Sequence, residues 1–72
     1  MGKSEKDKLK ALLKYWIVHN QDHIVEFKEW AEKAGAMGEA EVSADIKQAV
    51  AQMDKATALF THSLKKLNGE GK

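Results

Sequence analysis

Cysteine, proline and arginine are all missing from this chain of 72 residues. Without cysteine there is neither a disulfide framework nor a thiolate metal site. Without proline nothing forces a kink or a stop into a helix. Without arginine the twelve basic residues are all Lys, so the planar fork that reads guanine edges and clamps phosphates is lacking. Twelve Lys against eleven acids leave a formal charge of +1, too weak a field to name an acidic partner. No run of about 18 apolar residues could span a bilayer. The lysine-rich opening leads into charged, periodic sequence instead of the apolar stretch of a signal peptide. Gly2 does not open a myristoylation signal, because position 6 is Lys. These absences argue against nucleic-acid and membrane partners and for a soluble, cytoplasmic protein.

What remains is a helix-forming alphabet. Glycine occurs only at positions 2, 35, 38, 69 and 71, and between these marks Ala, Leu, Lys, Glu and Gln dominate. The expectation is a single all-α domain over residues 1–72, with a helix from about 4 to 34, a turn from 35 to 39 and a helix from 40 to 67. Ser4 with Asp7 resembles a capping box, Gly35 reads as the stop of the first helix, and Asn68-Gly69 as the cap of the second. Leu9, Leu13, Trp16, Asn20, His23, Phe27, Trp30 and Ala34 follow one another by steps of four and three, as do Val42, Ile46, Ala49, Met53, Ala56, Phe60, Ser63 and Leu67. Helices of roughly 46 and 42 Å would match as a long hairpin. Two helices enclose two tryptophans and a phenylalanine poorly, so the reading adds pairing with a second copy into a four-helix bundle. The rival is a three-helix bundle with a corner at Asn20-Gln21 and a new helix capped by Asp22.

Charge is segregated along the chain. Residues 1–20 carry five Lys and two acids, 21–45 seven acids and two Lys, and 46–72 five Lys and two acids. A hairpin would therefore be basic at its chain ends and acidic at its turn, and antiparallel copies would set unlike ends together. Solvated faces with no partner role account for the same pattern.

The segment with chemical content runs from Trp16 to Phe27. His19 and His23 are four apart and Glu26 is three further on, so one helix would carry all three on one side. Imidazole nitrogens with a carboxylate suit Zn, Ni or Cu and leave a coordination position open. The pair interrupts an apolar stripe, where an unsatisfied polar group costs about 1–3 kcal/mol. The alternative is a polar layer of the two histidines with Asn20 that fixes bundle geometry, with Glu26 solvated. Met53, opposite this segment in a hairpin, could offer a thioether to copper(I) or haem, but it reads as core packing, and haem ranks below the divalent metals. His62 lies on the polar side of its helix and Tyr15 on the periphery, so both stay outside the site. No nucleophile beside a base, phosphate loop or paired Glu-x-x-His motif suggests an enzyme.

The run Trp16-Ile17-x-His19-Asn20-x-x-His23-x-x-x-Phe27-x-x-Trp30-Ala31, followed by a glycine break and an Ala-rich helix with Met53, resembles a family of small uncharacterised helical domains of archaea and bacteria. The resemblance spans about Leu9 to Leu67 and implies that the His-Asn-x-x-His segment is a family feature, with no activity attached. The leading expectation is a small non-catalytic metal-binding module with metal ligands His19, His23 and Glu26. Its competitor is a self-association or protein-interaction module, and a homodimer is the expected assembly.

Overall fold

The computed structural model describes residues 4–69; Gly2, Lys3, Gly71 and the outer ends of the expected 1–72 domain lie outside the described residues. Two helices form an antiparallel hairpin: α1 (Glu5–Ala36) and α2 (Ala40–Leu67). Ser4 caps α1, its Oγ accepting the Asp7 N–H at 3.1 Å, and Glu5 and Asp7 place negative charge in the first turn, where the helix dipole favours it.

The first helix does not stop at Gly35. It continues through Ala36, and Gly38 supplies the left-handed residue, with φ +86°. The Glu39 N–H then reaches the Ala34 carbonyl at 2.9 Å and the Gly38 N–H the Gly35 carbonyl at 3.0 Å, the two bonds of a Schellman ending. After α2 the left-handed residue is Gly69, with φ +80°, its N–H donating to the Lys66 carbonyl at 3.1 Å.

The corner at Asn20-Asp22 does not exist, and the three-helix alternative is overturned. α1 runs unbroken through these residues because Asn and Asp each cost only about 0.7 kcal/mol inside a helix, far less than starting a new one. The four-helix bundle is corrected as well: the fold of this chain is two helices, with no strand among the described residues.

The inward stripes also differ from expectation, by one residue at every second position. In α1 the partner is met by Leu13, Ile17, Asn20, Ile24, Phe27, Ala31 and Ala34; in α2 by Ser43, Ile46, Val50, Met53, Thr57, Phe60, Leu64 and Leu67. Trp16 and His23 are only half-buried, Trp30 is 49% exposed and Val42 48%. Small and branched residues took the seam because two helices can approach closely over Ala31, Ser43 and Val50. Two helices have no third wall with which to enclose an indole.

Polar groups in the seam are satisfied locally. The buried Ser43 hydroxyl donates to the Ala31 carbonyl across the hairpin at 2.8 Å, and Thr57 and Thr61 donate back to the carbonyls of Met53 and Thr57. Among the described residues no large side chain is fully buried, and the hairpin is a slab of 56 × 26 × 12 Å. Its radius of gyration of 16.3 Å compares with about 11 Å for a compact domain of this length.

Candidate functional site

A second stripe of steps three and four lies on α1, rotated roughly 80° from the seam that meets α2. It consists of Leu9, Leu12, Trp16, His19, His23, Glu26 and Trp30. Leu9 is 41% exposed and Leu12 46%, and Trp16 leans toward Phe60 of α2 at a centroid distance of 5.7 Å. This outer stripe and the adjoining side of α2, with Ala49, Ala56 and Phe60, make one broad face of the slab. The opposite face carries a shallow groove floored by Ala31, Val50 and Ala51 and edged by Lys28, Glu32, Lys47 and Asp54.

The histidines sit halfway along the outer stripe. His19 is exposed and His23 half-buried, so neither was drawn into an enclosed polar layer. Their Nε2 atoms nevertheless converge at 3.0 Å with the rings perpendicular, a contact in which one ring donates and the other accepts. Glu26 Oε1 lies 3.7 Å from His23 Nδ1, on the side of the ring away from that convergence. Among the described residues no group of three or more His, Asp or Glu side chains is arranged to hold a metal ion. Asn20, on the inner seam, contributes nothing to the histidine contact, Met53 is half-buried opposite α1, and His62 is exposed.

One feature was missed in the sequence. Tyr15, His19, His23 and Phe27 form a continuous ladder: Tyr15 stacks on His19 at 5.3 Å and His23 on Phe27 at 5.6 Å, with the perpendicular histidine pair between them. Four planar rings at a uniform spacing of four were visible as a signal, because residues four apart stack along one helix face. Tyr15 thus belongs to the row that orients the imidazoles. Further along, the Lys33 ammonium rests 4.4 Å over the Trp30 ring.

A family model described as "Domain of unknown function (DUF8180)" matches residues 9–67, which takes in the whole of the outer stripe and nearly all of both helices. The chain belongs to this family. No curated protein and no solved structure matches it. The DUF8180 match begins at Leu9, where the outer stripe begins, and ends at Leu67, the last residue of α2. No helix among the described residues is long and apolar enough to cross a membrane.

Proposed function

We propose that this DUF8180 domain is a non-catalytic helical association module, whose outer α1 stripe docks antiparallel on the same stripe of a second copy. The observation that carries the reading is the uncovered apolar face. The chain has 5608 Å² of accessible surface, against about 4,450 Å² for a compact protein of 8.0 kDa. The excess, roughly 1,100 Å², exceeds the ~800 Å² that each partner gives to an interface of standard size. On the outer stripe Leu9, Leu12 and Trp30 stand exposed beside the half-buried Trp16.

Two features favour a second copy as the occupant. The ends of the hairpin carry opposite charge, five Lys to two acids over residues 1–20 and seven acids to two Lys over 21–45, so antiparallel copies set unlike charges together. Six of the stripe's seven members are also symmetric about residue 21: Leu12 and Trp30, Trp16 and Glu26, and His19 and His23 are pairs whose numbers all average 21, and Leu9 falls opposite Lys33. A twofold axis at that point brings each residue against its counterpart, leucine on tryptophan at both ends. Such an interface is isologous and closes with two chains.

The same proposal holds that the module works in the cytoplasm of archaea or bacteria and that the Trp16-Ile17-x-His19-Asn20-x-x-His23 run is a signature of the family. Sedimentation equilibrium over micromolar concentrations tests it. The wild-type chain gives the mass of two, and Leu12→Glu gives the mass of one with its helical circular dichroism kept. Val25→Glu, at a 58% exposed position on the far side of α1, leaves the pairing unchanged. A single-chain mass for the wild type throughout, or a Val25→Glu effect equal to that of Leu12→Glu, overturns the reading.

A further inference from the structure

The geometry points to a transition-metal site that two copies share, built from His19 and His23 of each chain at the twofold axis; it rests on the antiparallel pairing proposed above. Two nitrogens bound to one metal at 2.0–2.1 Å lie about 2.9 Å apart in neighbouring square-planar positions and about 3.3 Å apart in a tetrahedron. The observed Nε2 to Nε2 distance of 3.0 Å matches the first closely and the second after a small ring rotation. Stacking of Tyr15 on His19 and of Phe27 on His23 restrains both rings from outside, so binding requires a shift of the donating ring's proton from Nε2 to Nδ1 and a small turn of the rings toward the metal.

One chain supplies two ligands only, which agrees with the absence of any three-residue metal group among the described residues. The axis at residue 21 doubles the set. His19 of one chain opposes His23 of the other, and four imidazoles converge where a lone hairpin offers two. Four nitrogen donors without sulfur select Ni(II), Cu(II) or Zn(II), and the short spacing favours the tetragonal geometry of the first two. Glu26 acquires a different role from that of third ligand. Its carboxylate, 3.7 Å from Nδ1 of His23, is placed to accept from the ring nitrogen that is not on the metal and so to hold the ring in its ligating tautomer. Because the site exists only in the pair, metal must strengthen pairing by the same factor by which pairing strengthens metal binding.

The test uses the full chain stripped with chelator, NiCl₂ as the probe, calorimetry for stoichiometry and sedimentation for mass. The expected result is one Ni(II) per two chains and a dimer dissociation constant lowered about tenfold or more at saturation. His19→Ala and His23→Ala each abolish both effects, while His62→Ala, removing the remaining histidine, preserves them. Glu26→Gln keeps the stoichiometry and weakens affinity about tenfold, as the loss of an orienting group does. With Cu(II), the nitrogen hyperfine pattern reports four nitrogen donors. A two-chain mass in chelator with no Ni(II) uptake, or with one Ni(II) per chain and unchanged pairing, overturns the shared site and leaves the association module standing. Single chains in chelator that pair only with Ni(II) do the reverse: the shared site stands and apolar docking alone fails. Single chains under both conditions overturn both.

Discussion

α1 carries two stripes of the same period, and the hairpin covers only one. The inner stripe runs through Leu13, Ile24, Ala31 and Ala34, each less than a tenth exposed. The outer one runs through Leu9, Leu12, Trp16 and Trp30, whose side chains are larger and whose burial is partial or slight. Hydrophobicity alone would have buried the second. Fit to a single neighbouring helix decided otherwise, since close approach requires small or branched side chains along the line of contact. Trp30 and the two outer leucines are therefore left largely uncovered by the chain's own fold, which is why they are read as belonging to an interface.

The contrast between the stripes can be broken most strongly at the buried one. Ile24→Ala removes a side chain 6% exposed and should cost about 2–4 kcal/mol in urea unfolding, whereas Leu12→Ala, at protein concentrations below the dimer's dissociation constant, should stay within about 0.5 kcal/mol of wild type. Equal costs at the two sites would mean that the inner and outer stripes had been assigned the wrong way round. Next in size come Gly38 in the turn and Gly35 in the last turn of α1. Gly38→Ala forces a Cβ into left-handed backbone and should cost about 1–2 kcal/mol. At Gly35 an added Cβ meets the Ser43 Oγ at an ordinary 3.6 Å, so Gly35→Ala should stabilise the helix by up to about 1 kcal/mol. Thermal melts of the two variants should move in opposite directions. Ser43→Ala tests the hydrogen bond that ties the helices across the seam and should cost about 1 kcal/mol, the Ala31 carbonyl keeping its helical partner. The smallest effect is ionic. Raising salt from 50 to 500 mM should weaken pairing by a few-fold and leave a Leu12→Glu chain's melt nearly unmoved, because only the pairing sets unlike ends together.

Much of the fold was legible in the residues. The missing prolines, the placement of five glycines and the two seven-residue repeats fix two long helices and one turn, and Ser4 and Asn68-Gly69 mark their ends where the structure has them. The rotation of each helix was not legible. The patterns 13-16-20-23-27 and 13-17-20-24-27 share every second member, and the choice between them depends on the packing neighbour, which periodicity does not encode. That single ambiguity places His23 and Trp30 in the core by periodicity, whereas the structure leaves His23 half-buried and Trp30 49% exposed. The convergence of His19 with His23 follows from their spacing alone. The ring row through Tyr15 and Phe27 requires the rotamers that only the folded helix fixes.

The connection between the helices is just Met37, Gly38 and Glu39, and the buried Ala31, Ala34 and Ser43 lie close beside it. Every interhelical pair therefore nests around one closed loop, each separated along the chain by only a little more than the pair before it. Such an arrangement zips from the turn outward on a microsecond to millisecond scale and frays from the open end first. Amide exchange should accordingly slow progressively from Leu9 and Leu67 toward Ala31 and Ser43, so that the hairpin's durability is graded along its length.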